Sequence, residues 1–239
     1  LARDKIKDQL TKLFGLKDFN YKPTNGKHSS IYTNKENTVL YKIFSKSELI
    51  KHENLGNNPL ENRKVQNEYF NRFCGMQEQL KTQLEDSPCL NLVPLITCNN
   101  VKIDENEFII TSEEFIKSEY TLEKMFTEDN VQNILEILLQ IILTIEYLNI
   151  HGFYHNDLNP GNILIVKNDD TVLTVRGDSF TPTYLVKIID FGLMTQNQYL
   201  NREYRILNAN KNETKSIAYW CNACFIFAYF YYKLTDKKL

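Results

Sequence analysis

Apolar and polar residues follow two different periods along this chain, and these periods predict a mixture of helices and strands. Over residues 2–14, an apolar stripe with helical spacing consists of Ile6, Leu10, Leu13 and Phe14. Over residues 131–149, apolar residues recur around most of a helical circumference. We therefore expect an amphipathic helix at 2–14, a central core helix at 131–149 and, between them, a short capped helix at 121–126.

Strand patterns occupy much of the rest of the chain. Strands and turns are predicted over residues 19–44, 91–98, 107–115 and 184–189. Within the first range, Val39, Tyr41 and Ile43 alternate with other residues and so share one strand face. Lys42 then lies on the other face, where a lysine is either solvated or needs a partner or a ligand.

The composition argues against some classes of function. The chain has 239 residues, of which 42% are hydrophobic and 24% charged, and its net charge is −2. Because nonspecific nucleic-acid binding is favoured by an excess of basic residues, we expect no nucleic-acid partner. The apolar run at 217–232 has 16 residues, fewer than the ~20 that span a bilayer, so it predicts a buried helix and no transmembrane segment.

The cysteines indicate the expected compartment. Cys74, Cys89, Cys98, Cys221 and Cys224 are odd in number and scattered among apolar neighbours. This pattern favours free thiols in a reducing environment. The single CxxC has no second ligand pair nearby and predicts no zinc site. With no signal peptide visible at the charged start of the chain, we expect a cytoplasmic protein.

The most informative stretch is 151–192, which contains HNDLNPGN and, after an apolar run, DFG. Asn162 follows Asp157 by five positions, and Asp190 follows Asn162 by 28. A carboxylate at Asp157 can orient a hydroxyl and take its proton. An amide oxygen at Asn162 and a carboxylate at Asp190 suit Mg²⁺. Each residue alone could cap a turn or end a strand, but the three in this order predict phosphoryl transfer.

Residues 21–234 resemble the protein-kinase superfamily, and HNDLNPGN and DFG are the motifs that carry this resemblance most strongly. The resemblance implies the α+β class and a two-lobed, protein-kinase-like fold. An N-lobe with a small antiparallel sheet and the N-terminal helix would span 1–112. A mainly helical, truncated C-lobe with the catalytic loop and DFG would span 113–239. ATP and Mg²⁺ are the implied cofactors.

The resemblance also assigns roles to residues around the two motifs. It implies that Asp157 is the catalytic base and that Asn162 and Asp190 are the metal ligands. His155 would be a structural histidine of the catalytic loop, packed against the DFG region. It is expected to be a satisfied core residue and not a proton carrier.

Further roles fall in the first half of the chain. Lys42 would be the strand lysine that contacts the nucleotide phosphates, and Glu68 its ion-pair partner, with Glu61 as the rival for that place. An ordinary surface glutamate is the simpler interpretation of Glu68. The implied nucleotide-binding residues are Lys42, Gly26, Ser29, Ser30, Glu113, Glu114 and Phe115, of which the last three would form a hinge whose backbone binds adenine.

Several features depart from the family pattern. The glycine-rich phosphate loop is reduced to Gly26 in TNGKHSSIYT. Asn156 replaces the arginine that receives a phosphorylated activation loop, so no phospho-switch is expected there. Asn159 stands where Ser/Thr kinases commonly have a lysine. After DFG, the candidate residues for binding phosphate or a polyanionic activator are Arg202, Arg205, Lys211 and Lys215.

We therefore expect an atypical, ATP-dependent protein kinase that phosphorylates a protein hydroxyl, with Ser or Thr favoured over Tyr. With HND in its catalytic loop and a shortened C-lobe, the chain resembles the minimal kinases of secreted bacterial effectors and of large DNA viruses. We favour an effector that a bacterium secretes into a host cytosol, with a host protein or a polyanionic small molecule as a candidate activator. Two alternatives stay open, a small-molecule kinase of the choline or aminoglycoside type and a pseudokinase scaffold.

Overall fold

The computed structural model describes residues 2–15, 18–22, 29–45, 74–125, 133–175, 177–192, 194–196 and 226. The described elements are helices and antiparallel sheets, so the α+β class expected from the sequence is confirmed. Backbone contacts divide the chain into two compact units, Leu1–Lys81 with Pro94–Phe115, and Thr82–Val93 with Ile116–Leu239. The predicted domain boundary at 112/113 stays a prediction.

The first unit contains a five-stranded antiparallel sheet with the order β1-β2-β3-β5-β4. Its strands are β1 Phe19–Lys22, β2 Ser29–Asn34, β3 Val39–Ser45, β4 Leu95–Ile103 and β5 Asn106–Glu114. The turn between β2 and β3 is closed by Asn34, whose side-chain oxygen accepts hydrogen bonds from the Thr38 and Val39 N–H groups at 2.8 and 2.9 Å. This local closure sets the register of β3, the strand that carries Lys42.

The N-terminal helix, Ala2–Phe14, covers one face of this sheet. Leu10 packs into a buried cluster with Tyr32, Tyr41, Ile43 and Ile110, and Ile6 and Phe14 lie at its margin. The predicted stripe is correct for three of its four residues. Leu13 is 40% exposed, because it lies about 60° around the helix from Leu10, at the edge of the buried face.

The opposite face of the sheet holds a second apolar cluster of Cys74, Leu95 and Ile109. Cys74 lies in a helix over 74–86. It forms a disulfide with Cys98 of β4, with the two Cα atoms 5.7 Å apart. The expectation of free thiols is therefore wrong for this pair, because the fold brings together two cysteines 24 positions apart. Among the described residues, Cys89 is a free thiol.

The second unit contains a helix at Ile134–Ile150 and a three-stranded sheet with the order β11-β8-β6. Its other elements are β6 Tyr120–Thr121, a short helix Leu122–Met125, β7 Phe153–Tyr154, a 3₁₀ helix Pro160–Asn162, β8 Ile163–Lys167, β9 Leu173–Val175, β10 Asp178–Phe180, β11 Tyr184–Ile188 and β12 Thr195–Gln196. β9 pairs with β10, and β7 with β12. The long helix buries one face against β11 and β7 but leaves Leu135 77% exposed, so it is less enclosed than its sequence predicts.

One polar residue of the long helix completes the hydrogen bonding of β11. Gln140 is buried, donates from Nε2 to the Tyr184 carbonyl at 2.8 Å, and accepts from the Val186 N–H at 3.0 Å. Asn91 adds a bond from its Nδ2 to the Val186 carbonyl at 2.8 Å. Because β8 occupies one edge of β11, Gln140 and Asn91 satisfy backbone groups along the other edge and fix the strand that leads to Asp190.

Several predictions fall outside the described residues. They concern Gly26, the helix expected to carry Glu61 and Glu68, the pair Cys221 and Cys224, and the basic residues Arg202, Arg205, Lys211 and Lys215. Within the apolar run 217–232, Ile226 is described, and it is helical and buried. No helix in the described part of the chain is long and apolar enough to cross a membrane.

Candidate active site

The catalytic loop is shaped by the sequence Asn159-Pro160-Gly161-Asn162. Asn159 has an extended backbone and caps the 3₁₀ helix, because its side-chain oxygen accepts from the Gly161 N–H at 2.9 Å. Pro160 suits the first helical position, where its lack of an N–H costs nothing. A Cβ atom at Gly161 would lie 3.0 Å from Oδ1 of Asn159, so a glycine allows this close approach.

Both carboxylate oxygens of Asp157 accept hydrogen bonds from amide side chains. Nδ2 of Asn162 donates to Oδ2 at 3.0 Å, and Nδ2 of Asn159 donates to Oδ1 at 3.2 Å. The same two nitrogens also donate to the Asp157 backbone carbonyl, at 2.9 and 3.3 Å. A carboxylate oxygen has two lone pairs, so one amide donor does not fill the acceptor capacity of either oxygen. The orientation of the Asp157 carboxylate is therefore fixed by the two asparagine side chains.

His155 links the catalytic loop to the segment that carries Asp190. Its Nε2 lies 3.0 Å from the Ile189 carbonyl, and its Nδ1 lies 3.3 Å from the Asp157 N–H. A carbonyl can only accept and an N–H can only donate, so the ring is neutral with its proton on Nε2. Burial lowers the pKa of His155, which also favours the neutral form. Its ring packs on Phe191 with the centroids 4.9 Å apart.

Asp190 lies beside Asn162 through the pairing of two strands. Ile163, the first residue of β8, pairs with Ile188, the last residue of β11. The next N–H, that of Ile189, donates to the Asn162 carbonyl at 3.0 Å. Asp190 then adopts a left-handed backbone with φ of 65° and is exposed. The Gly192 N–H lies 3.4 Å from its Oδ1.

These residues fit a magnesium ion by their chemistry. The atom of Asn162 that faces the Asp157 carboxylate must be the nitrogen, because a carboxylate cannot donate. The Asn162 amide oxygen is then the atom left for a cation, and Asp190 supplies a second hard oxygen ligand. A bound Mg²⁺ would neutralise phosphate charge.

Asn156 has a conformational reason for its identity. It is buried and has a left-handed backbone with φ of 61°. Asparagine adopts this region more readily than most residues that have a side chain. The asparagine that replaces the usual arginine at position 156 is therefore compatible with the local backbone conformation.

In the first unit, Lys42 forms an ion pair that the sequence did not predict. Its Nζ lies 2.7 Å from Oε1 of Glu113, and the side chains are 13% and 5% exposed. Glu113 was expected to contribute only its backbone to a hinge, but it belongs to β5. The one indication in the sequence of a side-chain role for Glu113 is that a charged residue stands at an inward-facing strand position. The predicted partner, Glu68, lies outside the described residues.

The other predicted nucleotide-binding residues lie in or beside the same sheet. Glu114 ends β5, and the Phe115 N–H donates to the Thr38 carbonyl at 2.9 Å. Ser29 and Ser30 begin β2. Their roles toward adenine and phosphate stay predictions. No structural role is predicted for Asn159 from the sequence, although its place before Pro-Gly is typical of a capping residue.

The chain is similar in sequence to known protein kinases. The sequence profile of the protein kinase domain matches residues 89–219, more than half of the chain. Over 70 residues the chain is 39% identical to sporulation protein kinase mde3 of Schizosaccharomyces pombe, covering 29% of this chain and 11% of that protein. Over 231 residues it is 26% identical to a probable serine/threonine-protein kinase of Dictyostelium discoideum, covering 90% of this chain and 42% of that protein. The chain spans less than half the length of either relative.

Proposed function

The chain belongs to the protein kinase family, and on this basis we propose that it is an ATP- and Mg²⁺-dependent enzyme that transfers the γ-phosphoryl group to a protein hydroxyl. Ser or Thr is the favoured acceptor. Both relatives are protein kinases by name, and one of them is named a probable serine/threonine-protein kinase. Asp157 would orient the acceptor hydroxyl and take its proton. Asn162 and Asp190 would hold the metal, and Lys42 would contact the nucleotide phosphates.

The observation that carries this proposal is the hydrogen bonding of the Asp157 carboxylate. Two amide donors at 3.0 and 3.2 Å hold its two oxygens in place. A scaffold has no need of a carboxylate oriented in this way. A general base depends on such positioning, because a proton is transferred efficiently only at a defined distance and direction.

The finer expectations from the sequence are part of the proposal. They are the two-lobed arrangement with a truncated C-lobe, a cytoplasmic site of action, and a bacterial effector that works in a host cell. The relatives described above come from a fungus and an amoeba, and they lend no support to the effector. The effector interpretation therefore rests on the sequence motifs alone.

An activator is also proposed. Arg202, Arg205, Lys211 and Lys215 outnumber the acidic residues Glu203 and Glu213 in the segment after DFG. Clustered basic side chains bind phosphate groups through charge-assisted hydrogen bonds, so a polyanionic small molecule or an acidic host protein would fit this segment. Turnover of ATP should rise when host-cell extract, or heat-treated extract, is added to the pure protein. Equal turnover in all three conditions would exclude the activator.

The enzyme itself is tested by incubating the purified chain with labelled ATP and Mg²⁺ in three parallel reactions. One contains a mixture of generic proteins, one a panel of small alcohols including choline and an aminoglycoside, and one no acceptor; each is run with and without host-cell extract. We expect label on Ser or Thr residues of protein. Label in the small alcohols alone would establish the small-molecule kinase instead.

A matched pair of variants shows whether the label depends on this site. Asp190→Ala should remove incorporation, since one ligand of the metal is lost. Asp178→Ala changes an exposed carboxylate of the β9–β10 hairpin and should leave incorporation unchanged. If no transfer occurs under any condition while ATP still binds, the chain is a pseudokinase.

A further inference from the structure

The ion pair between Lys42 and Glu113 is formed entirely within the sheet of the first unit. Lys42 lies opposite Thr111 in the register of β3 and β5, and Leu40 lies opposite Glu113. Side chains two positions apart on a strand share a face, so Lys42 and Glu113 project from the same side of two neighbouring strands. The strand pairing itself therefore brings the ammonium and the carboxylate together.

The surroundings of the pair favour a strong interaction. Both side chains are largely removed from water, and the neighbouring Thr111 is fully buried. Opposite charges at 2.7 Å attract each other more strongly there than at an exposed site. Neither charge is easily left alone in such a place, because burying an ion without a partner is unfavourable.

The ion pair with Glu113 does not by itself prevent Lys42 from binding phosphate. An ammonium group has three N–H donors, and Oε1 of Glu113 lies at hydrogen-bond distance from one of them. The pair thus occupies one donor of three, and Glu113 need not be the single partner of Lys42. A partner fixed in the adjacent strand would restrict the directions in which the long lysine side chain can point.

We propose that Glu113 is a positioning residue that holds the Lys42 ammonium in place for phosphate binding. This inference rests on the proposed kinase function. It assigns the Glu113 side chain a role in addition to the one predicted for Glu68, and it replaces the view that Glu113 contributes through its backbone alone.

The first test measures the lysine directly and needs no enzyme activity. Lys42 is acylated with acetic anhydride, and its rate relative to the other lysines is followed by mass spectrometry. In Glu113→Gln the ammonium loses an adjacent opposite charge, so the neutral, reactive amine should become more abundant and acylation should rise about tenfold. Glu107→Gln changes an exposed carboxylate of the same strand and should leave the rate unchanged. An unchanged rate in Glu113→Gln would overturn the proposal.

The second test separates positioning from binding. In Glu113→Gln we expect kcat to fall roughly tenfold while KM for ATP changes less than about threefold. Glu113→Asp keeps the charge and should recover part of kcat, and Glu107→Gln, at an exposed position of the same strand, should behave as the wild type. If Glu68→Gln lowers kcat and Glu113→Gln does not, Glu68 alone positions Lys42 and the proposal fails.

A double-mutant cycle keeps the proposal testable if a single variant folds poorly. The melting temperatures of Glu113→Gln, Lys42→Gln and the double variant are compared with that of the wild type. Each single variant removes an ion-pair partner from one largely buried charge, so the double variant should lose clearly less than the sum of the two single losses. Additive losses would refute the pairing. If the losses are not additive but the wild type transfers no phosphoryl group, the kinase function is disproved while the ion pair is supported.

Discussion

The catalytic loop of the second unit and the sheet of the first unit bring polar side chains together by different means. In the loop, the Asp157 carboxylate is held by Asn159 and Asn162, two and five residues away. In the sheet, Lys42 and Glu113 are 71 positions apart, from 42 to 113, and meet through the register of β3 and β5. A short motif can encode the first arrangement. The second depends on which strands pair and at which residue.

The largest expected effect tests the local network. Asp157→Ala removes the proposed base and should lower kcat by about 10²- to 10⁴-fold. The affinity for ATP should change little, because the base contacts the acceptor hydroxyl and not the nucleotide. The measurement is kcat from steady-state phosphorylation, together with the Kd for ATP from a direct titration.

The control for this substitution is Asp178→Ala, which removes an exposed carboxylate from the same unit. It should keep wild-type kcat and Kd. A turnover of Asp157→Ala equal to that of the control would show that the oriented carboxylate is not used in catalysis.

The next largest effect concerns the contact of Gln140 with β11, which, like the ion pair of Lys42 and Glu113, joins distant parts of the sequence. Gln140→Ala leaves the Tyr184 carbonyl and the Val186 N–H without their side-chain partner. Because the Val186 N–H is buried and the Tyr184 carbonyl is partly buried, we expect a loss of about 2–3 kcal/mol in the free energy of unfolding, measured by urea denaturation. Glu146→Ala, at an exposed position of the same helix, should cost less than about 0.5 kcal/mol. Equal losses would show that the edge of β11 does not depend on Gln140.

The distinction between contacts within a short motif and contacts between distant segments explains what the sequence could predict. The helix at 2–14, the strands near Lys42 and the loop Asp157–Asn162 follow from local periodicity or from short motifs, and all are present in the structure. The disulfide between Cys74 and Cys98 and the edge contacts of Gln140 depend on chain segments that meet only in the folded state. For the contacts of Gln140, the sequence offers one indication: it is a single glutamine in an apolar helix, and a buried amide must find hydrogen-bond partners.

A smaller effect separates the two roles of Asn159. Its oxygen caps the 3₁₀ helix, and its nitrogen donates to Asp157. Asn159→Asp keeps a capping oxygen but replaces the donor with an acceptor, which would repel the Asp157 carboxylate. We expect kcat to fall about tenfold, with the melting temperature less affected than in Asn159→Ala. Wild-type kcat in Asn159→Asp would mean that Asn162 alone orients the base.

The last and smallest effect is a pH dependence of stability that originates in His155. Burial lowers the pKa of His155 below its ordinary value of 6.5. The nearby charge of Asp190 and the hydrogen bond to the Ile189 carbonyl oppose this shift without reversing it. Below pH 6.5 the unfolded chain therefore binds a proton at this residue that the folded protein does not yet bind.

The sign of the effect follows from this difference in proton binding. The contribution of His155 to stability is fully present above pH 6.5 and decreases as the pH falls below that value, by at most about 1.4 kcal/mol per pH unit until the folded protein is also protonated. Urea denaturation of the wild type and of His155→Gln between pH 8 and pH 5 measures it. Other titrating groups contribute equally to both proteins, so the difference between the two curves isolates His155. The curves should converge as the pH falls, because glutamine does not titrate; parallel curves would show that the ring is already accessible to protons in the folded state.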